Sequence, residues 1–309
     1  MSMTDYGIQP PNYRLPNETH LGRVRLQVSD LARSQLYYEH VLGLRILEKG
    51  SGFAVLGAQR EGGGEGEDKA LVELRELAGA RPAPRRGRIG LYHFAILLPD
   101  RPSLGRFLAH LEELGAYAGM SDHFVSEAIY LTDPDGLGIE VYADRPRSTW
   151  KNQDGQLVMT TVPLDVENLV AAAKASKEGT SWRGMPPGTV IGHVHLHVGD
   201  LERAAAFYHA GLGLDKTVWN YPGALFLSAG GYHHHLGTNT WAAGAPPAGA
   251  DDARLLEWEV VVPTVSDAAD AAQSLTSASG AVRSEGTDWL AADPWGTVVR
   301  IRAEDGSTS

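Results

Sequence analysis

Residues 21–44 and 191–214 are two copies of one segment. At a constant offset of 170, LGRVRLQVSDLARSQLYYEHVLGL matches IGHVHLHVGDLERAAAFYHAGLGL, with identities at Gly22, Val24, Leu26, Val28, Asp30, Leu31, Arg33, Tyr38, Leu42, Gly43 and Leu44. A duplication of this length means that the fold is assembled from copies of one supersecondary unit. Val24, Leu26 and Val28 alternate with Arg23, Arg25 and Gln27, the period of a half-buried strand. Ser29 or Asp30 then offers an N-cap for a helix, and Gly43 a natural stop. SGFAVLG and KALVELREL supply further strands, split by the loop REGGGEGED. The unit reads β-α-β-β-β.

A second unit also occurs twice. LYHFAILLPD (91–100) is a strand, RPSLGRFLAHLEELGA an amphipathic helix, and AIYLTDPDGLGIEVYAD (128–144) a hairpin around a Pro-Asp-Gly turn. LEWEVVVPT (256–264), a helix through 267–279 and WLAADPWGTVVRIRAE repeat the order, with DPDG and DPWG at the same turn. The expected fold is therefore α+β, four βαβββ units at about 20–79, 88–145, 189–242 and 254–304 forming two barrel-like sheets. The expected division is an N-terminal tail (1–19), a first two-unit domain (20–145), a connector (146–188) and a second two-unit domain (189–304). RPAPRRGR (81–88) reads as a linker and DVENLVAAAKAS as a helix within the connector.

Composition narrows the chemistry. The chain has no cysteine, so any metal is held by His, Asp or Glu, and thiol nucleophiles are excluded. A formal net charge of -11 repels phosphate, so no nucleic-acid partner is expected. The first twenty residues have no apolar signal-peptide core, and no apolar run approaches the ~20 residues of a membrane span. A cytoplasmic protein with no membrane partner is the expectation.

The twelve histidines are unevenly placed: unit four has none, and ten lie in units two and three. Matched positions also differ between units. Arg23 stands where His193 does, Glu257 where His93 does, and Arg300 where Glu140 does. Two imidazoles and a carboxylate hold a divalent ion on one face and leave positions open, which suits Fe(II) or Mn(II). An Arg at a ligand position puts a cation where the metal would sit. Units two and three are thus expected to share one site from His93, Glu140 and His193, and units one and four to form none. His195 and His197 share the strand face of His193, so alternation alone leaves those three equivalent. Glu140, flanked by Ile139 and Val141, also fits an edge strand facing water. Solvent-facing packing is expected for His40, His110 and His209, and a loop position for His20.

The tandem pattern, with GHVHLHV, LYHFAILLPDR, AIYLTDPDGLGIEVYADRPRSTW and SAGGYHHHLGTNTW, resembles the vicinal-oxygen-chelate superfamily over about residues 20–303. Within it the chain looks closest to the two-domain catechol 2,3-dioxygenases. The resemblance implies an extradiol dioxygenase that inserts O2 into a small aromatic diol at Fe(II), with Mn(II) the alternative metal, giving a ring-opened semialdehyde. It implies His93, Glu140 and His193 as ligands, His234 as the catalytic acid/base with His233 and His235 as alternatives, and Tyr130 as a second catalytic residue. His123, His195 and His235 are the substrate-binding candidates. In many such enzymes all three ligands come from the C-terminal domain, whereas here His93 and Glu140 precede His193. The site closes if unit two pairs with unit three and unit one with unit four, or if two copies complete it as a homodimer. Two other classes share this fold: a glyoxalase-type isomerase or lyase, which commonly uses four protein ligands, and a metal-free sequestration protein.

Overall fold

A computed structural model describes residues 6–59, 69–84, 87–116, 118–279 and 281–304. The expected loop at 60–68 and the middle of the expected linker, residues 85 and 86, lie outside the described residues.

Unit one contains β1 (His20–Val28), α1 (Leu31–His40), β2 (Arg45–Gly50), β3 (Phe53–Gly57) and β4 (Ala70–Glu76). Unit two contains β5 (Gly90–Leu97), α2 (Arg101–Leu114), β6 (Gly119–Asp122), β7 (Ser126–Thr132) and β8 (Gly138–Asp144). Between the halves lie the short strands β9 (Asn152–Gln153) and β10 (Gln156–Leu157) and helix α3 (Val166–Ala175). Unit three has β11 (Val190–His197), α4 (Leu201–Ala205), β12 (Asp215–Val218), β13 (Ala224–Ser228) and β14 (Leu236–Asn239). Unit four has β15 (Arg254–Val262), α5 (Val265–Ser279), β16 (Val282–Glu285), β17 (Asp288–Ala292) and β18 (Val298–Ala303).

The strands form two eight-stranded sheets, β16-β17-β18-β15-β1-β4-β3-β2 and β12-β13-β14-β11-β5-β8-β7-β6. Unit one pairs with unit four through β1 and β15, and unit three with unit two through β11 and β5, both antiparallel. Each sheet therefore takes one unit from each half of the chain, which is the first of the two arrangements that the order of the candidate ligands allows. The two sheets share one core, in which Leu26 and Trp258 of one and Phe94 and Val194 of the other are buried.

Local chemistry explains the elements. Asp30 and Asp200 cap α1 and α4 by accepting the backbone N–H of Arg33 and Arg203 at 2.9 and 2.7 Å. In both hairpin turns the leading Asp accepts two backbone N–H groups: Asp133 from Asp135 and Leu137, Asp293 from Trp295 and Thr297. Gly136 and Gly296 complete these turns at φ 86° and 91°, where a side chain would be strained. Each Asp also accepts the hydroxyl of a buried tyrosine from the preceding unit, Tyr38 or Tyr208, which ties one sheet to the other.

Three details differ from expectation. β2 is an edge strand without a buried residue, so it lacks the alternation that marks a strand in sequence. The helix of unit three changes at Ala206 to a π-helical turn through Gly211. That turn buries His209, whose Nδ1 donates to the Leu214 carbonyl at 2.7 Å, in place of a solvent-facing position. His20 opens β1 instead of lying in a loop. Among the described residues no helix is long and apolar enough to cross a membrane.

Candidate metal centre

Strand register brings the site together. His193 on β11 lies opposite Ala95 on β5, Ala95 lies beside Glu140 on β8, and Glu140 lies opposite Tyr130 on β7. Side chains in such a row share one face of the sheet. Ala95, wholly buried, is small enough for His193 and Glu140 to meet above it. His93, two residues before Ala95, projects from the same face and lies opposite His195. A side chain at Gly192 would sit 1.8 Å from the Tyr142 hydroxyl, so the Gly before His193 leaves room for a ring from β8.

The three donors converge. Nε2 of His93 and Nε2 of His193 lie 3.0 and 3.2 Å from the same oxygen, Oε2 of Glu140, and 3.3 Å from each other. Three donors held at right angles about 2.1 Å from one ion stand about 3.0 Å apart, so this triangle has the size a facial metal site needs. All three side chains are buried. Burial pushes the Glu140 carboxyl up, but His193 and His93 outweigh it and hold the group well below the usual carboxylate range. Burial pushes His193 down to about 4, against the opposing pull of Glu140. A neutral imidazole facing an ionised carboxylate is the protonation state a divalent ion binds. Nδ1 of His193 has no hydrogen-bond partner among the described residues, so the polar contacts of this buried ring are all made at Nε2, on the side of Glu140 and His93. Donor types, spacing and burial all fit a divalent ion.

The triangle forms one wall of a cavity of about 220 Å³. Tyr92, Phe226 and Trp241 add aromatic surface, and Met159, Thr160 and Thr161 of the connector close another side. Tyr130, His123, His195 and His234 all line it. Nδ1 of His123 donates to the Thr160 carbonyl at 2.6 Å, so in the neutral ring Nε2 accepts the Tyr130 hydroxyl, also at 2.6 Å. Burial, and then the neighbouring Glu140 charge, raise Tyr130 well above its ordinary range and keep the phenol protonated. Nε2 of His195 accepts from the Asn239 amide at 3.0 Å, and burial keeps that ring neutral.

The consecutive histidines separate. His234 lines the cavity with its ring 4.1 Å from that of His193. His233 lies behind it, with Nε2 2.9 Å from Asp144 Oδ1. His235 is not brought to the cavity: its Nδ1 accepts the backbone N–H of Ala229 at 3.2 Å and lies 3.0 Å from Ser228 Oγ. Sequence reasoning missed Asp144, Asn239 and the connector residues. DPDGLGIEVYAD carries a weak signal for Asp144, because Glu140, Tyr142 and Asp144 alternate onto one face.

This fold and site define a class, and the sequence confirms it. The family model of the Glyoxalase/Bleomycin resistance protein/Dioxygenase superfamily matches residues 20–141 and 190–301, and the chain belongs to that family. It is 47% identical over 250 residues to the Catechol-2,3-dioxygenase of Bacillus subtilis (strain 168), covering 80% of this chain and 84% of that one. Relatedness at that level over most of both chains marks the protein as an oxidoreductase enzyme of the dioxygenase kind. Among solved structures, a protein of Bacillus subtilis subsp. subtilis strain 168 assigned to the dioxygenases matches with a TM-score of 0.61 at 14% identity, over 95% of this chain and 87% of that one. Glyoxalase I from Zea mays matches with a TM-score of 0.52 at 18% identity, over 92% of each chain. At these identities the two structures speak for the fold alone.

Proposed function

We propose that the protein is an extradiol dioxygenase that opens a neutral single-ring catechol at Fe(II) held by His93, Glu140 and His193. The observation that carries this reading is the triangle of three donors on the wall of a small aromatic cavity. Three protein ligands leave positions free for two vicinal oxygens and dioxygen, whereas the isomerase reading asks for a fourth. Among the described residues the metal-ligand cluster has three members. The identity to a catechol-2,3-dioxygenase supports the same reading.

Bound Fe(II) would supply Lewis acidity toward the diol oxygens and the redox capacity that dioxygen chemistry needs. The protein's own groups do the rest. Tyr92, Phe226 and Trp241 receive the ring and exclude water from it. His234 accepts a hydroxyl proton as the ring is seated and returns it when the ring opens. Tyr130, held by His123, meets an oxygen of the reacting pair, while His195 holds the far side of the ring. The described lining contains no Lys or Arg, so nothing in it pairs a carboxylate on the substrate, and a neutral catechol fits best. The product is a ring-opened hydroxy-semialdehyde.

Loading the purified protein with Fe(II) without oxygen, then adding catechol and air, tests this directly. The expected result is uptake of one O2 per catechol with a yellow product, and loss of both iron and turnover in His193→Ala. Iron and turnover retained in that variant would overturn the ligand assignment. Turnover of a dicarbonyl thiol adduct without oxygen uptake would select the isomerase reading.

A further inference from the structure

Two polar residues behind His234 have no part in the reaction outlined so far. His233 is wholly buried and held at both ring nitrogens: Nδ1 lies 2.7 Å from Nδ1 of His234, and Nε2 lies 2.9 Å from Oδ1 of Asp144. Tyr232 covers the ring at 4.0 Å between centroids, and Trp150 meets it edge-on at 5.3 Å. Asp144 ends β8 on the strand face of Glu140. It also accepts the Tyr232 hydroxyl at 3.2 Å, and its side chain is 28% exposed. The row Asp144, His233, His234 thus runs from solvent to the cavity.

These contacts fix where the protons lie. A carboxylate only accepts, so Nε2 of His233 carries a hydrogen and donates to Asp144. In the neutral form of that ring Nδ1 is a lone pair. Two nitrogens 2.7 Å apart need one hydrogen between them, and it belongs to Nδ1 of His234. Nε2 of His234 is left as a lone pair, with no hydrogen bond to any described residue, on a ring that lines the cavity.

We propose that Asp144 and His233 are positioning residues that hold His234 as its Nδ1–H tautomer, with Nε2 free for the diol proton, and that they carry the resulting charge away from the metal-facing histidines. The inference rests on the reading of His234 as the general base. In the step, the hydroxyl O–H bond breaks and its proton bonds to Nε2 of His234, while the Nδ1 proton of His234 crosses to Nδ1 of His233. His233 becomes the cation, paired with Asp144, and His234 ends neutral as its Nε2–H tautomer. No electron changes hands. The return of the proton to the product reverses both transfers, so one relay serves the base and the acid stages. A charge left on His234 would lie on a ring 4.1 Å from that of His193, whereas the ring of His233 has the Asp144 carboxylate 2.9 Å from its Nε2.

The experiment has two arms. The first is 15N-histidine NMR of the metal-free protein, with resonances assigned by their loss in His234→Gln and His233→Gln. The expected spectrum shows hydrogen on Nδ1 of His234 and on Nε2 of His233. The opposite pair of tautomers would overturn the proposal whether or not the protein cleaves a catechol. The second arm is kinetics of the iron-loaded Asp144→Asn and Asp144→Glu proteins. Asp144→Asn should keep its iron and its KM within about twofold and lose on the order of 10- to 100-fold in kcat. Asp144→Glu should recover most of that loss. A wild-type kcat in Asp144→Asn, or equal losses in Asn and Glu, would reduce the row to packing. If no catechol is turned over yet the tautomers are as expected, the proposed reaction fails and the positioning of His234 stands.

Discussion

The two sheets have the same strand order and matching registers, and at matching positions they hold opposite kinds of chemistry. Where the β11-β5 sheet has His193, His93 and Glu140, the β1-β15 sheet has Arg23, Glu257 and Arg300. Ala95, over which the donors meet, is replaced by Glu259, and Tyr130 by Leu290. The second set closes on itself: Arg300 pairs with Glu257 at 2.8 Å, Arg23 with Glu259 at 2.7 Å, and Arg25 with Glu73 at 3.0 Å and Glu257 at 2.7 Å. Buried charge must be paired, and here guanidinium supplies the counter-charge that a metal would supply in the other sheet. One scaffold thus carries a buried carboxylate between two imidazoles in one sheet and buried carboxylates paired with guanidinium in the other.

The sharpest way to break the contrast is to write one sheet into the other. His193→Arg should remove bound metal, and with it several kcal/mol of transition-state stabilisation, a loss on the order of 10³-fold or more in turnover. Metal analysis and oxygen uptake read both. The reverse change acts on stability. Arg300→Met strips Glu257 and its neighbours of a buried partner and should cost about 3 kcal/mol, seen as a lower urea midpoint with turnover retained under folding conditions. Tyr130→Leu copies the silent sheet at a position beside the metal. It should keep the metal and lower kcat about tenfold, the worth of one hydrogen bond of about 1.4 kcal/mol at the phenol oxygen. The smallest effect is a pH effect. His235 is held neutral in the fold, pushed down to about 3 by burial, and its Nδ1 already accepts a backbone N–H. Unfolded, the ring takes a proton near pH 6.5, so its contribution is complete above that pH and declines as the pH falls toward 3. Urea titrations should show His235→Gln losing less stability than the wild type between pH 7 and pH 5.

Much of this contrast was legible in the sequence because strand chemistry is periodic. Alternation in GHVHLHV and the Pro-Asp-Gly turn located the strands, and Arg23, Glu257 and Arg300 at the matched positions mark the sheet in which no ligand set is expected. Asking where His93, Glu140 and His193 can meet leaves two arrangements, a pairing of the middle units or completion between two copies, and the sequence does not choose between them. What stayed hidden lies outside regular strands. His233, His234 and His235 precede β14, where no period tells which ring faces the cavity, and so the sequence does not show that His235 turns to Ala229. Met159, Thr160 and Thr161 reach the cavity through the long-range placement of the connector, which local propensity does not encode. Asp144 carries no local signal of its role beyond its strand face, because its partner lies 89 residues away.

The strand order also has a consequence for synthesis. The sheets close like nested brackets: every strand of the inner one lies between residues 90 and 239, while the outer one needs strands that begin at residue 20 and end at 303. The half that carries the donor triangle can assemble as soon as β14 emerges from the ribosome. Until β15 follows, β1 keeps one bare edge, the kind of exposed strand that pairs with a neighbouring chain. The outer sheet, made of the first and last units, is therefore the last to be completed.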